Sequence, residues 1–195
     1  MVTPLSTENL SMPTHYTALA KWFHWGMALL IAGLVAMGFV MTDMELSPDK
    51  LQYYAWHKWA GVSVFLLVWL RLLWRVTHPA PAYPDSMSPW MQRMAHAGHM
   101  VLYGLMVVIP LSGWLLSSAK GVQTVWFGVW PLPDLLDKDK ELGHLLHEVH
   151  ETLNFCMLFL LAGHAGAALK HHWIDRDDIL KRMLPSQATH NESKE

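Results

Sequence analysis

The sequence predicts an all-α, integral membrane four-helix bundle, and three observations predict it. Of the 195 residues, 52% are hydrophobic and only 15% are charged, against roughly a quarter charged in soluble domains. Four stretches are long, apolar and nearly free of charge, and a bilayer span needs about 20 such residues. Histidines stand in all four stretches. An ionisable side chain at bilayer depth costs on the order of 3 kcal/mol, so each such histidine points to a function.

The elements follow in order. Residues 1–15 form a polar tail, 16–185 a single four-span domain, and 186–195 a second polar tail. Span one, Trp22 to Met41, lies in the 21 uncharged residues between Lys21 and Asp43. It begins too late and runs too long for a signal peptide and lacks a small-x-small cleavage site before Asp43, so it is expected to be retained. After a short acidic loop comes span two, His57 to Arg75. Only 12 uncharged residues separate Lys58 from Arg71, and both cations are expected to snorkel to the headgroups. A turn around His78-Pro79-Ala80-Pro81 leads to span three, about Met91 to Ser117. A long loop with Gly121, Pro131 and Pro133 precedes span four, from His144 or His147 to Trp173, and a charged amphipathic tail closes the domain.

Four spans put both termini on one side. That side carries nine Lys and Arg residues (Lys21, Arg71, Arg75, Arg93, Lys170, Arg176, Lys181, Arg182, Lys194), and the other carries five (Lys50, Lys58, Lys120, Lys138, Lys140). The positive-inside rule therefore predicts cytoplasmic termini. Tryptophans agree: Trp22, Trp25, Trp69, Trp74, Trp90 and Trp173 fall at the inner end, and Trp56, Trp59, Trp114, Trp126 and Trp130 at the outer, as two interfacial belts.

With this orientation the histidines sort by depth. His24 lies at the cytoplasmic end of span one and His57 at the periplasmic end of span two. His150 and His164 stand 14 residues apart in span four, a rise of about 21 Å with an angular offset of only about 40°, so they share one face. His150 matches the depth of His57, and His164 that of His24. Zinc would need three or four ligands at one point, whereas these four divide into two levels. Neutral imidazole is a common iron ligand, and the economical assembly is two bis-histidine haems b, one near each surface. Cys156 is the single cysteine and no Cys-x-x-Cys-His occurs, so the haems would be non-covalent and no intrachain disulfide forms. Gly26, Gly33, Gly61, Gly163 and Gly166 lie near the ligand positions, either to admit flat macrocycles or simply to let helices approach.

Two alternatives stay open. His99, with His96 one turn before it and Tyr103 one turn after, competes with His24; this pair could instead be interfacial packing or a proton-accepting quinone pocket. His147 competes with His150. His144 is expected at the outer surface, His171 and His172 at the inner interface, and His15, His78 and His190 in solvated or loop positions.

The chain resembles the bacterial cytochrome b561 family, the four-span dihaem cytochromes related to the b-type subunits of hydrogenases and formate dehydrogenases. The resemblance covers about Tyr16 to Pro185. It rests on Phe23-His24-Trp25, His57 with Gly61, Val68-Trp69-Leu70-Arg71-Leu72-Leu73-Trp74-Arg75, Ala95-His96-Ala97-Gly98-His99 with Tyr103, Ile109-Pro110-Leu111-Ser112-Gly113-Trp114, His150-Glu151-Thr152-Leu153-Asn154 and Gly163-His164-Ala165-Gly166 through His172. It implies His24 and His164 as ligands of the cytoplasmic-side haem, and His57 and His150 of the periplasmic-side haem. It also implies a place in the bacterial inner membrane and respiratory electron transport with ubiquinone as redox partner.

One branch resembles a superoxide oxidase that passes electrons from periplasmic superoxide to quinone, for which Lys58 and Lys120 are candidate steering cations. The alternatives are an anchor subunit between quinone and a partner dehydrogenase, docked through the loop 117–141, and a haem-free proton-coupled transporter, which lacks the expected inverted repeats. A net charge of −2 gives no reason to expect a nucleic-acid partner.

Overall fold

The computed structural model describes residues 15–84 and 86–185. The two polar tails, His190 and Lys194 among them, fall outside the described residues except for His15. Four long helices dominate: α1 (Ala18–Asp43), α2 (Pro48–Thr77), α3 (Pro89–Ala119) and α4 (Lys140–Lys170). The shortest has 26 residues, or about 39 Å at 1.5 Å per residue, enough to cross a hydrocarbon core of about 30 Å.

Each helix starts on a side chain that accepts an orphan amide: Thr17 from Ala20, Ser47 from Lys50, Ser88 from Met91 and Asp139 from Leu142. Proline follows the cap in α2 and α3, where its missing N–H costs nothing. These signals explain why α2 starts at Pro48, nine residues before the expected His57, and α4 at Lys140 rather than His144 or His147. Both extra lengths are charged or amphipathic turns beyond the apolar spans, so hydropathy underestimates the helices. Pro110 lies inside α3, and the helix runs through it.

α1 packs along α2, α2 along α3 and α3 along α4, while α4 has no comparable backbone packing with α1 or α2. The core is a thin layer of Met27, Val64, Val68, Leu102, Met106 and Met157. Large apolar residues elsewhere face outward, Leu29 74% and Phe159 80% exposed among them. An exterior of this kind is what lipid rather than water covers, and all four helices are apolar enough over their length to span a membrane.

The two ends are closed differently. Opposite the termini, β1 (Val125–Trp126) and β2 (Trp130–Pro131) form a small antiparallel hairpin turned at Phe127 and Gly128, both at positive φ. It lies over α2 and α3: Trp59 donates to the Val125 carbonyl at 2.6 Å and Trp126 donates back to the Trp59 carbonyl at 3.2 Å. At the terminal end α4 runs into a π-helical turn, His171–Asp175, and a short helix α5 (Ile179–Met183). α5 folds back across the bundle, where Trp25 donates to the Met183 carbonyl at 2.9 Å and Arg182 to the Ala82 carbonyl at 2.7 Å.

Candidate functional site

At the hairpin end, His57 of α2 faces His150 of α4 with ring centroids 6.4 Å apart. α3 seats His150 through the Ile109 to Trp114 segment. Nδ1 of His150 lies 2.9 Å from Ser112 Oγ and 3.2 Å from the Ile109 carbonyl, and Ser112 in turn donates to that carbonyl at 2.7 Å. With its proton spent on Ile109, Ser112 Oγ accepts, so Nδ1 carries the imidazole hydrogen and Nε2 keeps its lone pair. That is the arrangement of a metal-ligating histidine held by a partner behind it. Gly113 lets the two helices approach there, since a Cβ would press on the ring at 3.1 Å from His150 Cε1. Among the described residues, buried Nδ1 atoms of His57 and His172 have no hydrogen-bond partner. A narrow crevice between the facing imidazoles is lined by Gly61, Val64, Met106 and Pro110.

At the terminal end, His24 of α1 faces His164 of α4 with centroids 6.1 Å apart. Arg71 of α2 donates to His24 Nδ1 at 3.1 Å and covers the Tyr103 ring at 5.4 Å. His99 meets His164 edge-on at 5.3 Å. Met157 sits midway along α4 between the two levels, inside the thin core.

Two imidazoles sharing one metal, each nitrogen about 2 Å from it, hold their centroids about 6 Å apart. Both facing pairs meet that requirement, whereas the rings of His99 and His164 stand closer, at 5.3 Å. The helix arrangement suits a flat ligand as well. α4 reaches α1 and α2 mainly through side chains, and a Cβ on Gly33, Gly61, Gly163 or Gly166 would meet nothing within 4 Å. Open space beside small residues, next to imidazole pairs with no carboxylate partner, fits a non-covalent haem at each level.

The four candidate ligands thus come together as two pairs at two levels, with α4 contributing to both. His147 and His144 are exposed on α4, whereas His150 is half-buried. The two cations expected to snorkel both have protein partners. Lys58 donates to Ser117 Oγ at 2.8 Å and the Val122 carbonyl at 3.1 Å, pinning the loop, and Arg71 turns to His24. Sequence reasoning passed over Arg71 as a positioned residue and Ser112-Gly113 as the seat of His150. A lone arginine level with a histidine in a membrane helix was the available signal for the first. For the second there was only an unexplained motif.

The family described as prokaryotic cytochrome b561 matches residues 15–186. Cytochrome b561 homolog 2 of Escherichia coli K12 is 35% identical over 179 residues, 88% of this chain and 92% of the relative. Cytochrome b561 homolog 1 of the same organism is 33% identical over 171 residues, 84% and 93% of the two chains. The protein named probable superoxide oxidase CybB of Yersinia pestis is 27% identical over 180 residues, 90% and 99%. A match across the whole four-helix domain, together with apolar spans bearing paired histidines, means that the chain belongs to the prokaryotic cytochrome b561 family.

Proposed function

We propose that this b-type membrane cytochrome carries two non-covalent haems b, ligated by His57 with His150 and by His24 with His164, and moves electrons across the inner membrane to the ubiquinone pool. One observation carries the reading: two facing imidazole pairs at two levels, each with centroids about one metal-bridging distance apart and joined through one helix. The positive-inside count assigns the termini, and with them the His24 level, to the cytoplasm. Haem supplies reversible one-electron iron chemistry. The chain holds each ligand in place, excludes water with apolar side chains, and keeps the two levels a fixed length of α4 apart.

The name of the Yersinia pestis relative supports superoxide as the donor. The balance is simple: two superoxide anions each lose one electron and leave as oxygen, and the two electrons with two protons reduce one quinone to quinol. The hairpin is packed on α2 and α3 through Trp59, Trp126 and Lys58.

The test is a redox-difference spectrum with haem quantitation on the purified chain, followed by mixing with superoxide and a quinone. Two b haems per chain, both extracted by acid-acetone and reduced by superoxide, are the expected result. One haem in a fully loaded chain, or a covalently retained one, overturns the two-level site; two haems that ignore superoxide overturn the donor.

A further inference from the structure

Arg71 is a cation at membrane depth with no anion beside it. It lies level with His24, six residues inside the end of α2, where a charge persists only with partners. Among the described residues no ion pair involves it; it bonds His24 Nδ1 and stacks over Tyr103.

The bond to His24 conflicts with a ligand role for that histidine. Guanidinium is a donor only and stays protonated, so Nδ1 accepts and the hydrogen of a neutral imidazole resides on Nε2. That hydrogen occupies the lone pair a metal would take. If Nδ1 itself faced the metal, Arg71 would stand in the metal's place. With neutral imidazole as ligand, Arg71 therefore cannot also donate to His24, and a half-buried guanidinium at this depth needs an anion.

We infer that Arg71 binds a propionate carboxylate of the haem held by His24 and His164. This rests on the reading of those two residues as ligands. Haem b brings two ionised propionates, and the paired guanidinium–carboxylate contact is the strong, geometrically specific form of a charge-assisted hydrogen bond.

Arg71→Gln and Arg71→Lys in the full chain test this, read by haem stoichiometry and by potentiometric titration followed optically. In Arg71→Gln one haem is expected to bind at least tenfold more weakly or, where retained, to titrate at a lower potential, since an uncompensated carboxylate favours ferric iron; the other haem stays unchanged and reports the fold. Arg71→Lys is expected to keep more of the affected haem. Reloading the emptied chain with haem b or its dimethyl ester isolates the carboxylate. Wild type should prefer the free acid at this level, with that preference at least tenfold smaller in Arg71→Gln. An unchanged potential with an unchanged acid preference overturns the proposal. A rise in potential in Arg71→Gln also overturns it, since that is the sign of an imidazolate His24 that Arg71 had stabilised. Should both variants lose the haem, wild type taking ester and acid equally overturns it. His24→Ala retaining both haems would instead remove the underlying ligand reading, whatever Arg71 does.

Discussion

Gly113 of α3 lies directly against His150 of α4: a Cβ on the glycine would stand 3.1 Å from the imidazole Cε1 and 3.4 Å from Nδ1. Contact this tight fixes the ring between the glycine and the Ser112 hydroxyl behind it. Gly113→Ala is expected to displace the ring at an overpacking cost of about 1–3 kcal/mol and to deplete the hairpin-end haem alone. Ser112→Ala leaves Nδ1 the Ile109 carbonyl at 3.2 Å, so it should retain the fold and weaken that haem about 10- to 100-fold. Haem titration of the two variants checks both outcomes.

Because α4 serves both levels, single ligand changes should be separable. His164→Ala and His24→Ala are each expected to lose the terminal-end haem, and His150→Ala and His57→Ala the hairpin-end haem, taking the count per chain from two to one. His99→Ala should keep both, since its ring stands 5.3 Å from that of His164, closer than the 6.1 Å of the His24 pair. Loss of haem in His99→Ala with retention in His24→Ala would transfer the ligand role to α3.

A Cβ at Gly163 would meet nothing within 4 Å. Gly163→Leu should therefore insert and fold, showing wild-type helix content by circular dichroism, yet carry less of the terminal-end haem. Full haem loading in this variant would mean that the open space beside α4 belongs to lipid.

Orientation rests on nine cations against five. A reporter active only in the cytoplasm, fused after Glu195, should be active. Silence there, with activity of a periplasmic reporter at the same position, would exchange the compartments of the two levels.

Superoxide encounter should respond to charge at the hairpin end. Lys120 caps α3 and is exposed, whereas Lys58 is tied to Ser117 and Val122, so Lys120→Glu is the cleaner variant. It is expected to slow haem reduction after a superoxide pulse several-fold at low salt, with added salt slowing wild type as well. A rate indifferent to both changes would exclude steering through this residue.

Much of this arrangement was written locally. Uncharged runs such as 94–119 and 152–169 mark spans because bilayer thickness imposes a length on any helix that crosses it. The spacing of His150 and His164 on one helix face follows from helical rise and turn alone, and so does their assignment to separate levels. Ser47-Pro48 and Ser88-Pro89 also mark where α2 and α3 begin, a capping signal that hydropathy hides beneath polar first turns.

What the sequence by itself determined is therefore the four helices and the histidines on offer at each of two levels. Only tertiary structure shows that the His24 ring stands 6.1 Å and the His99 ring 5.3 Å from that of His164, that a side chain at Gly113 would press on His150, and where Arg71 points. The physical reason is that depth along a helix is set by the chain's own geometry. Rotation and approach between helices depend on packing among residues far apart in sequence, such as Ser112 with His150 and Arg71 with His24.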